Sequence, residues 1–131
     1  MRNTIFKLTE FVYYFSLLVL LILYLFPGSL IGYLLYGNFG QQPNLISNPL
    51  GTSINHLFFF SYITILATIV GLRVKNIFTN YKYILLISVI SEILHLIVPN
   101  RVFELYDLIA NIAGVVIVLL TYRFTKCLKN F

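Results

Sequence analysis

Four long runs of apolar residues are separated by more polar segments along the chain. They cover about residues 5–26, 54–72, 83–98 and 105–124. The first run is about 22 residues long, and a helix of that length spans roughly 33 Å, enough for the hydrocarbon core of a bilayer. Pro27 and Gly28 end this run, because proline lacks a backbone donor and glycine permits a turn. The pattern predicts an all-α bundle of four transmembrane helices, with an outer loop over residues 27–53.

The predicted outer loop carries no charged residue between Ser29 and Ser53. Within it, Leu30–Tyr36 is apolar but too short to cross a bilayer, so we expect an interfacial or re-entrant turn. A cleaved signal peptide is the alternative interpretation of the first apolar run. The length of that run, and the lack of a small-residue cleavage site at residues 26–29, favour a retained helix.

Composition supports a single integral membrane domain over residues 1–131. Apolar residues make up 60% of the chain and charged residues only 10%, whereas soluble domains have roughly 45–50% and 25%. The formal net charge of +5 would suit nucleic acid binding in a soluble protein. Here the positive charges sit at the ends of apolar runs, so they indicate topology and no nucleic acid partner is expected. Cys127 is the only cysteine, which excludes an internal disulfide.

The basic residues lie almost wholly on one side of this topology. With a cytosolic N-terminus, Arg101 is the only basic residue on the outer side. The inner segments hold the other eight: Arg2, Lys7, Arg73, Lys75, Lys82, Arg123, Lys126 and Lys129. Cytoplasmic loops carry the excess of Lys and Arg in membrane proteins. We therefore predict a multi-pass protein of the cytoplasmic (inner) membrane with both termini in the cytosol.

Polar residues from three predicted helices then fall at one depth, near the outer surface. They are Asn55 and His56 at the start of the second helix, Glu92 and His95 at the end of the third, and Asp107 and Asn111 at the start of the fourth. A carboxylate in the membrane costs a few kcal/mol or more. We therefore expect Glu92 to face protein or a wet cavity and not lipid.

Spacing places these residues on two helix faces. Positions i, i+4 and i+7 share one face of a helix. Such a spacing relates Ser88, Glu92, His95 and Pro99 on the third helix, and Asp107, Asn111 and Gly114 on the fourth. The two polar faces are expected to meet. Gly114 would let a neighbouring helix approach closely.

The loop between these faces also predicts local structure. Asn100 tolerates a left-handed conformation and suits a tight turn. Arg101 could then reach Glu104 or Asp107. Asp107 has a simpler interpretation as well: in the first turn of its helix it can act as a capping carboxylate, with Asn111 as an interhelical hydrogen-bond partner.

The same residues resemble a known family, the VanZ-like membrane proteins. The resemblance is carried by Glu92-x-x-His95-x-x-x-Pro99-x-Arg101, by Asp107-x-x-Ala110-Asn111-x-x-Gly114, and by His56 opening the second helix. Three departures accompany it. His95 stands where the family usually has Gln, Asn100 where it usually has Gly, and the basic residue that often precedes the histidine is missing. The resemblance implies a cell-envelope context, because the family is named after an accessory protein that lowers susceptibility to the glycopeptide teicoplanin.

Three functional hypotheses follow. In the first, the cluster binds a membrane lipid or a cell-wall precursor, with Arg101 donating to phosphate. Its binding residues are His56, Glu92, His95, Arg101, Asp107 and Asn111. In the second, the polar residues only hold helices together, and the protein is a structural or accessory subunit that contacts another membrane protein.

The third hypothesis is an intramembrane enzyme. Glu92, His95, His56 and Asp107 could form acid–base pairs or hold a divalent metal ion. However, the Glu-x-x-His spacing occurs once, whereas bundle metal sites repeat it. A His-Glu-x-x-His motif and a serine-centred elbow are also missing from the sequence. The sequence therefore assigns no catalytic residue, no metal ligand and no cofactor, and a non-enzymatic role is favoured.

Overall fold

A computed structural model of the chain describes residues 2–42 and 53–129, and all regular structure in these two segments is helical. The helices, in chain order, are α1 (Arg2–Leu25), α2 (Leu30–Tyr36), α3 (Ser53–Gly71), α4 (Tyr81–Leu94) and α5 (Leu105–Leu128). Residues 43–52 of the predicted outer loop lie outside the described segments.

Three helices are long and apolar enough to cross a membrane. They comprise Asn3–Leu25 of α1, all of α3 (Ser53–Gly71) and all of α5 (Leu105–Leu128). The helix predicted over residues 83–98 is shorter than expected, since α4 begins at Tyr81 and ends at Leu94. Its 14 residues span about 21 Å at 1.5 Å per residue. The fold is therefore all-helical with three candidate spans, which indicates a membrane protein.

Local chemistry explains where α4 starts and stops. Asn80 caps its N-terminus, with the side-chain oxygen accepting a hydrogen bond of 3.0 Å from the Lys82 backbone N–H. After Leu94 the chain continues in tight turns, in which Ile97 N–H donates to the Leu94 carbonyl. Asn100 then adopts the left-handed conformation, with φ at 58°. The left-handed turn predicted at Asn100 is confirmed.

The segment after α1 folds back on itself. Gly28 has φ at 87°, a value that favours glycine. Ser29 caps α2 by accepting a hydrogen bond from the Gly32 N–H, and Gly37 ends α2 with φ at 69°. A Cβ at Gly32 would lie only 1.6 Å from the Gln41 carbonyl oxygen. The predicted short turn is therefore a helix of one to two turns, and the segment that follows it, up to Gln41, packs directly against it.

The long helices alternate in direction around an apolar core, so α3 runs parallel to α5 and antiparallel to α1 and α4. Tyr13, Leu20, Phe60, Ile63 and Val115 are among the fully buried side chains of this core. Helices α3 and α5 approach most closely at Gly114, where an added Cβ would lie 2.6 Å from the Leu57 carbonyl oxygen. The close approach predicted at Gly114 is thus confirmed.

The two ends of the bundle differ in charge. At one end, the Arg73 guanidinium at the end of α3 lies 4.6 Å from the centre of the Phe6 ring in α1. At the same end, Arg123 of α5 lies 5.9 Å from the ring of Tyr81 in α4. We call this the basic end. The opposite end, formed by the C-termini of α1 and α4 and the N-termini of α3 and α5, is called the polar end.

Candidate functional site

A cluster of polar side chains occupies the interior of the polar end. All four long helices contribute to this polar cluster: Tyr24 from α1, Ser53 and His56 from α3, Ser88 and Glu92 from α4 with His95 just after it, and Asp107 and Asn111 from α5. Five of the six predicted site residues therefore lie together. The sixth, Arg101, lies beside them on the loop between α4 and α5.

Asn111 is the centre of the cluster. Its side-chain N–H donates to the Ser88 carbonyl of α4 at 3.2 Å. Its side-chain oxygen accepts from the Tyr24 hydroxyl at 2.8 Å and lies 3.2 Å from His56 Nδ1. The side chain is fully buried. The interhelical role predicted for Asn111 is confirmed, and it extends to three other helices.

Asp107 lies in the first turn of α5 but does not cap it. Glu104 occupies the N-cap position without a side-chain capping hydrogen bond. Asp107 Oδ1 instead accepts from the Ser53 hydroxyl at 2.5 Å. The prediction of a capping carboxylate is therefore corrected: Asp107 joins α5 to α3 because its side chain turns toward the bundle interior.

Glu92 is fully buried in the polar cluster, as expected for a carboxylate that avoids lipid. Its two carboxylate oxygens differ in their hydrogen-bond partners. Oε1 accepts from the Glu104 backbone N–H at 3.1 Å and lies 3.2 Å from His95 Nδ1. Oε2 has no hydrogen-bond partner among the described residues and lies 3.8 Å from His56 Nδ1.

His56 lies between the two carboxylates. Its Nδ1 is 2.7 Å from the Tyr24 hydroxyl oxygen. Because that hydroxyl donates to Asn111, Nδ1 carries the proton that completes the contact. Nε2 then faces Asp107 Oδ2 at 3.4 Å. His56, Glu92 and Asp107 are the described residues placed to hold a metal ion, with one ligand atom from each lying within 4.8 Å of the others.

His95 supports the cluster from the α4 side. Its Nε2 donates to the Tyr24 carbonyl at 3.2 Å, and its ring stacks on the Tyr24 ring with centroids 5.5 Å apart. These contacts join the end of α4 to the end of α1. His95 thus positions Tyr24 and Glu92.

Arg101 makes different contacts from those predicted. Instead of reaching Glu104 or Asp107, its Nη2 donates to the Leu23 carbonyl at 2.7 Å and its Nε to the Phe26 carbonyl at 3.3 Å. The Leu23 carbonyl needs an outside donor because the residue four positions later is Pro27, which has no N–H. Burial lowers the pKa of Arg101, but a guanidinium stays charged at physiological pH.

A cavity of about 300 Å³ opens beside the polar cluster, bounded by the end of α1, by α2 and by the start of α3. Its apolar lining residues are Leu23, Leu30, Ile31, Leu35 and Phe59. Its polar lining residues include Tyr24, His56, His95 and Arg101. The site therefore combines space for an apolar group with several hydrogen-bond donors, one of them charged.

Sequence reasoning missed Tyr24 and Ser53 as members of the cluster. The predicted boundaries place Tyr24 within the first apolar helix and Ser53 at the end of the outer loop. Its predicted depth in the membrane could have identified Tyr24 as a member of the cluster, since the predicted topology places it at the same level as His56. Ser53 carried no comparable signal, because a serine at a helix start usually caps its own helix.

Comparison with known proteins gives no relative for this chain. Protein-family models, curated proteins and solved structures were all searched, and none of them matches it. The resemblance to VanZ-like proteins therefore stays a prediction from sequence motifs, and the functional interpretation rests on the geometry of the site.

Proposed function

We propose that this protein is a four-helix, VanZ-like integral membrane protein that binds the polar group of a membrane amphiphile at its polar end. The amphiphile is a lipid or a lipid-linked cell-wall precursor, and its polar group carries a phosphate. The observation that carries the proposal is the cavity, because its lining combines apolar side chains with Arg101 and two histidines.

The chemistry of the cavity lining suits such a ligand. Leu30, Ile31 and Leu35 of α2 offer apolar surface to a hydrocarbon chain. Arg101 offers charge-assisted donors to a phosphate, since a guanidinium has five N–H donors and the Leu23 and Phe26 carbonyls account for two of them.

Membrane topology in this proposal follows the distribution of charge. Helix α4 crosses the membrane together with the turns that follow it up to Val98. The basic end faces the cytosol and the polar end faces outward, in accordance with the positive-inside rule. Both termini are then cytosolic, and the ligand is met at the outer leaflet of the cytoplasmic membrane of a bacterium.

Sequence motifs support the same context. The ordered combination of His56, Glu92, Arg101 and Asp107 with Asn111 is the pattern that resembles the VanZ-like proteins. A role in the cell envelope, including an effect on glycopeptide susceptibility, is part of this proposal.

The test is a lipid-binding measurement on the purified protein in detergent, with native mass spectrometry as the readout. Titration with phosphatidylglycerol and with a polyprenyl phosphate distinguishes the two ligand sources. We expect Arg101→Gln to weaken binding at least tenfold. Arg73→Gln, which removes an arginine at the basic end, is the matched control and should bind as the wild type does.

A second variant separates loss of binding from loss of folding. Ile31→Trp narrows the cavity without touching Arg101, so it should also weaken binding while leaving the bundle intact. If both variants fold and bind either lipid as tightly as the wild type, the proposed function is wrong.

The alternative of a structural or accessory subunit is supported by one observation, the bonds from Asn111 to three helices. These bonds need no ligand to explain them. A wild-type protein that binds neither lipid in the titration would favour this alternative.

A further inference from the structure

We propose that His56, Glu92 and Asp107 form a binding site for a divalent transition-metal ion within the polar cluster. This site is distinct from the amphiphile cavity, although His56 contributes to both. The three side chains come from α3, α4 and α5, and each offers one ligand atom to a common centre.

The separations between the ligand atoms suit a small metal ion. In a tetrahedral zinc site with bonds of about 2.0–2.2 Å, ligand atoms lie roughly 3.4 Å apart. His56 Nε2 and Asp107 Oδ2 already stand at 3.4 Å. One ligand atom from each of the three residues lies within 4.8 Å of the others, and Glu92 Oε2 lies 3.8 Å from His56 Nδ1. Metal binding then requires the widest separation to shrink by at most about 1.4 Å to reach the tetrahedral value.

The unpartnered oxygen of Glu92 points independently to a ligand. Glu92 is fully buried, and no donor among the described residues reaches its Oε2. A buried carboxylate oxygen without a partner is strongly unfavourable. A cation between Glu92 and Asp107 would satisfy Oε2 and offset the repulsion between the two negative charges.

Each of the three ligands is also oriented through its other polar atom. His56 Nδ1 contacts the Tyr24 hydroxyl, which leaves Nε2 available. Asp107 Oδ1 accepts from Ser53, which leaves Oδ2 available. Glu92 Oε1 accepts from the Glu104 backbone N–H, which leaves Oε2 available. Metal-binding side chains in proteins are held by outer partners in this way.

The donor set selects the class of metal. One imidazole and two carboxylates suit Zn²⁺ or Mn²⁺ better than copper, which favours softer or more nitrogen-rich sites. Three protein ligands leave one position open in a tetrahedral site.

The first test measures metal content. The full chain is purified in detergent, stripped with a chelator, dialysed against Zn²⁺ or Mn²⁺ and assayed by mass spectrometry. We expect one ion per chain for the wild type. Asp107→Asn and His56→Ala should lower metal affinity more than tenfold, and Ser53→Ala should lower it about tenfold by loosening Asp107.

Two control variants guard against nonspecific binding. Glu104→Gln removes a carboxylate close to the cluster that is not a ligand, and Cys127→Ser removes the exposed thiol, which could itself bind zinc. Both should retain one ion per chain. Loss of metal in Cys127→Ser alone would overturn the proposal.

Wild-type spectroscopy keeps the test decisive if the ligand variants fail to fold. X-ray absorption of the zinc-loaded protein should show one imidazole with oxygen neighbours at about 2.0 Å. A sulfur neighbour, a spectrum without imidazole, or less than half an ion per chain would overturn the proposed metal site. The lipid titration of Arg101→Gln is scored separately, so either proposal can fail alone.

Discussion

Asn111 connects four helices through a single amide group. Its donor reaches α4, and its acceptor serves Tyr24 of α1 and His56 of α3. Within a membrane, where no water can replace a lost partner, such bonds contribute individually about 0.6 kcal/mol on average and up to about 1.7 kcal/mol. The combined contribution of the hydrogen bonds made by Asn111 to the free energy of unfolding is large enough to measure.

We expect Asn111→Leu to lower the free energy of unfolding by about 2 kcal/mol, because it leaves Tyr24 and His56 with unsatisfied buried groups. Unfolding in a detergent titration provides the measurement. Thr121→Val is the control, since the Thr121 hydroxyl bonds only to the Ile117 carbonyl of its own helix. Equal effects of the two variants would contradict the central role of Asn111.

Glu104 makes the stability of the folded protein depend on pH. Burial raises the pKa of Glu104 above its ordinary value of 4.5, and the nearby carboxylates of Asp107 and Glu92 act in the same direction. A carboxyl with a raised pKa binds more protons in the folded state than in the unfolded state. Its contribution to stability is therefore present at low pH and is lost as the pH rises through the folded pKa.

Glu104→Gln should accordingly flatten the decline in melting temperature as the pH rises above about 4.5. Thermal unfolding in detergent at a series of pH values measures the slope. Glu10→Gln makes the same change of charge near the other end of the bundle and should leave the slope as in the wild type. A Glu104→Gln protein with the wild-type slope would refute the expectation.

The sequence alone was enough to place His56, Glu92, Asp107 and Asn111 in one cluster, because polar residues in apolar helices must share an interior. It could not place the contacts of Arg101. Its partners are backbone carbonyls near the end of α1, and one of them lacks a helical donor because of Pro27. Backbone acceptors cannot be recognised from the types of side chain in a sequence.

Among the helices, α3 and α5 form the tightest contact. Gly114 allows it, since the Leu57 carbonyl and the Ser61 amide of α3 occupy the space where a side chain would start. Ser61 adds a hydrogen bond to the Gly114 carbonyl at 3.3 Å. The pair α3 and α5 also carries two of the three proposed metal ligands, so their separation sets the geometry of the site.

Gly114→Ala should therefore destabilise the protein by about 1–3 kcal/mol, because one helix must move away from the other. Gly71→Ala, at the end of α3, is the control: an added Cβ there meets only ordinary contacts, the nearest with Thr79 at 3.5 Å. That substitution should be neutral or slightly stabilising. Unfolding titrations of both variants provide the comparison.

Helix boundaries were predicted unevenly. Helix α5 begins at Leu105, as predicted, but runs to Leu128 and not to residue 124. Helix α4 ends at Leu94 although the apolar run continues to Val98. Hydropathy identifies residues that avoid water, but turns buried in lipid or protein avoid water as helices do. The hydropathy pattern therefore cannot show where a helix ends within an apolar run. Only the backbone geometry before Asn100 reveals where regular hydrogen bonding stops.

The whole molecule has two chemically different ends. Arg73 and Arg123 lie at the basic end with aromatic rings beside them, whereas Arg101 lies at the polar end. The alternating direction of the long helices brings the N-terminus of α1 and the C-terminus of α5 to the basic end. Under the proposed topology, that end lies in the cytosol.

Cys127 offers a direct test of this orientation, because it is exposed and lies near the end of α5. A membrane-impermeant maleimide should leave Cys127 unlabelled in intact bacterial cells and label it after permeabilisation. Asn100→Cys in a Cys127→Ser background should give the opposite pattern, with labelling in intact cells. Labelling of Cys127 in intact cells would reverse the topology.

The position of Asn111 in the chain has a consequence for biosynthesis. Helices α1, α3 and α4 emerge from the ribosome before α5, so under the proposed topology Tyr24 and His56 enter the bilayer ahead of the Asn111 side-chain oxygen that later accepts their hydrogen bonds. Until α5 follows, these groups depend on water, on the translocation machinery or on each other. Closure of the polar end is therefore a late step of membrane insertion, completed only when the final helix joins the other three.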